Sequence, residues 1–275
     1  MPMSCLACGG RDGRLLFTVN ACPIHRCATC GLGRAEPAAF DAAAYYTADY
    51  FSGRRADGYQ DYVGSESVLR PEFARSVAYL RRFLPGGRLV EVGCAYGFFL
   101  KEAAKHFDAT GIELAEDAAR ACRAAGLSVL SAGAEDGLGK IGPADAVVML
   151  DVIEHLPNPR AALKAASDAL RPGGVVMLTT GDFNSLLARL TGAQWRLMTP
   201  PQHLWFFTRE SLERLATDLG FSVERIDHPW KFVPAGLILF QLRRMLGLPP
   251  SSAPGPAFGI PVNLFDVMRV VLRKK

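Results

Sequence analysis

No stretch of this 275-residue chain is long and apolar enough to span a bilayer; the longest candidate, 232–240, covers nine residues where roughly 18 are needed. The N-terminal Met-Pro-Met-Ser-Cys lacks a basic start and an apolar stretch behind it, so no secretory signal is expected. Net charge is small, +4 from 31 basic and 27 acidic residues, too mild a surplus to argue for nucleic acid as the partner. There are no internal repeats. With 49% hydrophobic and 21% charged residues, the composition is globular rather than disordered. Membrane-spanning, fibrous and secreted disulfide-rich classes are thereby set aside. A cytoplasmic chain is expected, with one large domain or a large one and a small one.

Seven cysteines are present, and five fall in the first 30 residues. Four of them make Cys5-x2-Cys8 and Cys27-x2-Cys30, the paired-knuckle spacing of a structural Zn²⁺ site. Each pair is followed by a glycine, Gly9 and Gly31, which permits the φ > 0 turn that aims backbone amides at the sulfurs. Four thiolates leave no open position, so this metal is expected to be structural. Cys22 and His25 are spare ligands that could replace the second pair.

Past the cysteines, 35–62 is rich in alanine and tyrosine, and a helix is predicted over 71–83, ended by Pro85-Gly86-Gly87. Strand signals at 88–92, 109–113, 128–130, 146–150 and 175–180 then alternate with helical stretches at 98–107, 116–125 and 159–170. That rhythm predicts an α/β, doubly wound parallel sheet. Beyond it lie an aromatic-rich insertion at 183–207, a helix capped by Thr208, a strand at 222–227, an apolar segment at 233–246 and a last strand at 267–272. From Arg225 onward eight Lys/Arg stand against two Asp, a basic face that is either simply solvated or turned to an anionic substrate or membrane surface.

The first buried strand runs into Glu91-Val-Gly93-Cys94-Ala95-Tyr-Gly97 and then a helix, a turn where a ligand can approach the backbone. The dinucleotide pattern G-x-G-x-x-G fails at Ala95 and Phe98. Glu91-x-Gly93-x3-Gly97, the acidic Glu113 twenty residues after Gly93, Asp151-Val-Ile-Glu154-His155, Arg171-Pro-Gly-Gly174 and the final strand from Asp266 resemble class I S-adenosylmethionine-dependent methyltransferases. The resemblance covers roughly Tyr45 to the C-terminus and implies a seven-stranded Rossmann-like sheet binding S-adenosyl-L-methionine. By it, Glu91, Gly93, Cys94, Ala95 and Gly97 surround the methionine part. Glu113, followed by Leu114, takes the ribose hydroxyls, Ala134 and Glu135 lie near the adenine, and Asp151 and Tyr46 approach the cofactor. An N-terminal zinc ribbon followed by Tyr45-Tyr46 and Tyr50-Phe51 is similar to a bacterial subgroup that includes C-methyltransferases of nucleotide-linked sugars. The expected organisation is a ribbon over 1–36, a helical, aromatic cap over 37–84 and a core over 85–275, with a substrate-side insertion at 182–207 and a variable segment at 229–262.

Methyl transfer to a hydroxyl or acidic carbon needs an acceptor held in line and a base for its proton. His155, with Glu154 beside it, and His203 fall where this fold places substrate, and either can be the base. By resemblance to quinone-pathway O-methyltransferases, Asp151, Glu154 and His155 are an alternative divalent-metal set. Trp195, Trp205, Phe206 and Phe207 line an acceptor pocket or pack as a lid. The expected acceptor is a small molecule or glycan precursor, not nucleic acid. The alternatives are an RNA base methyltransferase gripping RNA with its ribbon, and a cofactor-binding scaffold without turnover. Residues 233–246, with Arg243-Arg244, form a lid, a dimer contact or a peripheral contact with the inner membrane face.

Overall fold

The computed structural model describes residues 4–51, 61–235 and 258–275. An antiparallel hairpin of β1 (Gly13–Val19) and β2 (Cys22–Cys27) is extended by β3 (Gly33–Ala35). The one-turn helices α1 (Ala42–Tyr45) and α2 (Ala48–Phe51) and the longer α3 (Glu66–Leu80) follow. Alternation then begins: β4 (Arg88–Val92), α4 (Phe98–Ala103), β5 (Asp108–Glu113), α5 (Glu116–Ala124), β6 (Ser128–Ser131), α6 (Ala134–Lys140), β7 (Ala144–Leu150), α7 (Pro159–Ala169) and β8 (Leu170–Gly181). The last part holds α8 (Leu186–Thr191), β9 (Trp205–Phe206), α9 (Arg209–Asp218), β10 (Phe221–Asp227), β11 (Lys231–Pro234), β12 (Gly259–Val262) and β13 (Val267–Lys274).

The main sheet has seven strands in the order β10-β13-β8-β7-β4-β5-β6. Strands β4 to β8 are mutually parallel, while β13 runs antiparallel to both β8 and β10, which makes the sheet mixed rather than wholly parallel. Between β10 and β13 in the chain lies the antiparallel pair β11–β12. Central strands are buried on both faces, which is why they read as unbroken apolar runs. On one face Val90, Val92, Val147 and Met149 pack under α6, α7 and α9; on the other, Leu89, Ala146 and Val148 pack under α3 and α4.

Local departures from the sequence reading have physical causes. Helix α3 begins at Glu66 and carries Pro71 inside it, where the proline gives up one backbone bond while Val77 and Leu80 pack the helix onto the sheet and α4. The Pro172-Gly173-Gly174 break lies inside β8, where the ladder to β7 shifts register and then resumes. Helix α6 carries Gly137 and Gly139, which weaken its helical signal.

The N-terminal ribbon and the 182–207 insertion form one structure. Strand β9 pairs with β3, Gly33 opposite Phe206, so the ribbon is the main part of a four-stranded sheet β1-β2-β3-β9. A Cβ at Gly33 would lie 2.8 Å from the Phe183 ring and 2.9 Å from Phe206, so only glycine lets the two layers meet. Cys22, Ile24, Phe183, Trp195 and Phe206 share an apolar cluster. Trp195, Phe206 and Phe207 are thus packing residues, with Trp205 half-buried beside them. Among the described residues no helix is long and apolar enough to cross a membrane. Of the apolar segment at 233–246, the start belongs to β11 and residues 236–246 lie outside the described residues.

Candidate active site

The C-terminal ends of β4, β5, β6 and β7 bring the sequence-predicted cofactor residues to one edge of the sheet. Gly93 and Gly97 adopt φ +71° and +72°, and an added Cβ would fall 2.6 Å from Val152 and 2.5 Å from Leu127. Both positions therefore demand glycine on two counts. Ala95, between them, takes φ +46°, and Asp151 at the end of β7 takes φ +55°. Such conformations cost a non-glycine residue of order 1–3 kcal/mol and concentrate at functional sites.

Glu113 ends β5 with its carboxylate fixed by the chain: Oε2 accepts from the Ala95 amide at 2.7 Å and Oε1 from Ala115 at 2.8 Å. Burial pushes its pKa up against those amides. Each oxygen keeps a lone pair for a ligand hydroxyl. Glu91 is buried within the sheet, with burial, then Cys122 and Glu113, pushing its carboxyl well above the ordinary range. Its Oε2 has no partner, an orphaned buried polar oxygen of the kind a bound polar group satisfies. Cys94 is buried beside that turn, Leu114 is exposed, and Ala134 and Glu135 open α6 next to β6. The turn, the carboxylate at the neighbouring strand end and the orphaned oxygen fit S-adenosyl-L-methionine: backbone at Gly93–Gly97 for the methionine part, Glu113 for the ribose.

Asp151 does not stand open at this edge. Thr179 Oγ1 donates to its Oδ1 at 2.7 Å and Lys231 Nζ to its Oδ2 at 2.8 Å. Burial opposes its ionisation, but the Lys231 ammonium outweighs this and holds the carboxyl below its ordinary range.

Beside it, Glu154, His155 and His203 converge, with donor atoms within 4.8 Å of one another. This is the arrangement a divalent cation would meet, and it replaces Asp151 of the sequence reading by His203. His155 Nδ1 lies 2.9 Å from the Gln202 carbonyl and 2.8 Å from Tyr46 Oη. A carbonyl only accepts, so Nδ1 carries the proton and Nε2 the lone pair. His203 is set the same way, donating from Nδ1 to the Leu197 carbonyl at 2.7 Å. The rings meet edge to face with centroids 4.6 Å apart. Burial lowers His155 to about 4 and, with His155 as neighbour, His203 to about 3, so both are neutral at physiological pH. Burial, then the Asp151 charge, raises Glu154 to about 8, and its Oε2 is unpartnered. Tyr45 and Tyr50 close over this group, and Gln202 Nε2 donates to Tyr50 Oη at 2.8 Å.

Lys231 and Gln202 carry no sequence signal of these roles: Lys231 opens β11 and Gln202 lies in the 182–207 insertion, and no spacing connects them to Asp151 or His155.

The four cysteine sulfurs of the ribbon also lie within 4.8 Å of one another, with Cys5–Cys30 and Cys8–Cys27 each at 3.6 Å. A tetrahedral zinc with Zn–S near 2.3 Å needs sulfurs about 3.8 Å apart. Amides of Ala7 and Cys8 face Cys5, Gly10 faces Cys8 and Leu32 faces Cys30. The alternative ligands are elsewhere: Cys22 donates to the Asn20 carbonyl inside the apolar cluster, and His25 lies 3.5 Å from Glu36.

Residues 66–226 match the family described as methyltransferase domain. The chain is 30% identical over 162 residues to a ubiquinone biosynthesis O-methyltransferase of Psychrobacter arcticus, matching 52% of this chain and 62% of that protein. It is 32% identical over 182 residues to the protein of the same name from Methylococcus capsulatus, matching 61% of this chain and 75% of that one. Its fold is similar to that of a Thermotoga maritima S-adenosylmethionine-dependent methyltransferase, with TM-score 0.56 and 23% identity, covering 82% of this chain and 99% of that one.

Proposed function

From the premise that the chain belongs to the methyltransferase domain family and has the class I S-adenosylmethionine-dependent fold, we propose that it methylates a hydroxyl oxygen of a polar small molecule of the glycan-precursor class. The observation that carries this reading is the pair His155 and His203, each with its Nδ1 proton bound to a backbone carbonyl and its Nε2 lone pair left to act. S-adenosyl-L-methionine, when bound, supplies an electrophilic methyl carbon on a sulfonium. The glycine turn and Glu113 would hold it, and an imidazole Nε2 would take the hydroxyl proton as the C–O bond forms and the methyl–sulfur bond breaks, leaving the neutral thioether. Tyr45, Tyr46, Tyr50 and Gln202 give the surroundings hydroxyl and amide groups, which suit an acceptor rich in hydroxyls better than a hydrocarbon one.

The curated relatives are named for O-methyl transfer, which supports oxygen as the acceptor atom. We assign the four-cysteine cluster a structural Zn²⁺ on its fit of number, spacing and amide surroundings. The test is transfer of labelled methyl from S-adenosylmethionine across a panel of nucleotide sugars and catechols, with His155→Ala and His203→Ala variants. Labelled product from a sugar hydroxyl, lost in one variant while cofactor binding survives, is the expected result. Label confined to catechols refutes the glycan-precursor reading, and activity in both variants refutes the histidine base.

A further inference from the structure

Arg14 and Arg26 are direct partners across the antiparallel β1–β2 hairpin. Like charges so placed destabilise a sheet, and the thiolate cluster that includes Cys27 is the ribbon's own source of negative charge against that cost. Arg26 is held by neutral groups: its Nη2 donates to Asn184 Oδ1 at 3.3 Å, and its guanidinium carbon lies 5.1 Å from the centre of the Phe183 ring. Among the described residues no carboxylate lies within salt-bridge reach of Arg14 or Arg26.

Both arginines line a cleft of about 710 Å³ between the ribbon and the start of α9, closed by the turn that follows Cys27 and by Asn184 and Thr208. Two carboxylates share this cleft, but each is already bound: Glu213 by Arg209 at 2.9 Å and Glu210 by Arg214 at 2.8 Å. The Thr208–Ser211 capping box takes the amides of Thr208 and Ser211 at the start of α9, and the assignment below uses the guanidinium groups, not the helix end. At Gly31, a Cβ would come within 3.2 Å of both Arg26 Nη2 and Thr208. The glycine therefore keeps open the space in front of the guanidinium.

We propose that this cleft binds a phosphoanion, the phosphate or diphosphate group of a small ligand, on Arg14 and Arg26. A carboxylate would bring one negative charge to two guanidinium groups. A phosphate or diphosphate brings about two or more and offers oxygens to both planar forks. The cleft shares no lining residue with the histidine site, so the assignment stands apart from the acceptor reading.

The test is calorimetric titration of inorganic pyrophosphate, uridine diphosphate and uridine diphosphate glucose into the full chain at low salt. The proteins are wild type, Arg14→Gln, Arg14→Gln/Arg26→Gln and Arg120→Gln, a control on α5 paired with Asp117. Pyrophosphate is expected to bind wild type and the control alike and the double variant about tenfold or more weaker. Tighter binding of the uridine compounds assigns the site to a nucleotide-linked ligand; equal binding assigns it to the free anion.

Thermal unfolding gives a second readout that needs only the exposed Arg14. In anion-free buffer Arg14→Gln should melt above wild type, because a repulsion is gone, and pyrophosphate should raise the wild-type midpoint more than the variant's. Unchanged binding in the double variant, or a lower melting point for Arg14→Gln in anion-free buffer, overturns the proposal. So does single-stranded RNA binding about 100-fold more tightly than pyrophosphate with a steep salt dependence, which would make the cleft a nucleic-acid surface.

Discussion

Replacing Glu154 by glutamine separates the electrostatics of the site from its packing. Burial raises this carboxyl from 4.5 to about 8, so the folded chain holds the proton more tightly than the unfolded chain does. Its contribution to stability is fully present below pH 4.5 and is lost as pH rises through about 8. Between pH 5.5 and 8.5 the loss integrates to about 3 kcal/mol. Glutamine does not titrate, and whatever it gains or loses in hydrogen bonding at the unpartnered Oε2 is the same at every pH. The stability difference, wild type minus Glu154→Gln, should therefore fall by about 3 kcal/mol over that range, whatever its absolute value. His155 and His203, lowered by burial, act in the opposite sense, costing stability as pH falls below 6.5. They are common to both proteins and largely cancel in the difference. Urea unfolding of both proteins at half-unit pH steps measures it. A difference that is flat from pH 5.5 to 8.5 would refute the burial argument.

Gly93→Ala should destabilise by about 1–3 kcal/mol, from a φ of +71° and a Cβ 2.6 Å from Val152. In urea unfolding, Val152→Ala should relieve only the clash and recover part of that loss. Glu113→Ala should abolish S-adenosylmethionine binding in calorimetry and lower stability by about 2–4 kcal/mol, since both carboxylate oxygens hold backbone amides. Glu113→Gln, which keeps one acceptor, should fall between; unchanged binding in either variant counts against the cofactor assignment. Chelation of the proposed zinc, or Cys27→Ser, should speed hydrogen exchange in β1–β3 and equally in β9, because one sheet joins them. Undisturbed protection of β9 would show the ribbon to be mechanically separate.

Residues that act through their immediate neighbours were legible in the chain. Gly93 and Gly97 are required by local backbone conformation, the cysteine pairs by ligand spacing, and the buried strands by continuous apolar runs. Those signals reach a few residues along the sequence, and so they survive without a structure. The histidine site was only half visible. His155 and His203 fall after successive parallel strands, which a sequence can order, but the carbonyls of Gln202 and Leu197 that fix their tautomers come from an irregular loop.

By itself, then, the sequence determined the alternation of strands and helices, the glycine turn, the acidic end of β5 and the four-cysteine set. Tertiary structure alone decided that Asp151 is bound by Lys231, that His203 takes its place beside Glu154 and His155, that the ribbon and insertion share one sheet, and that Arg14 and Arg26 line an open cleft. The reason is range. Backbone conformation and ligand spacing are set over a few residues, whereas desolvation, charge pairing and sheet edges depend on which distant segments the packed core brings together.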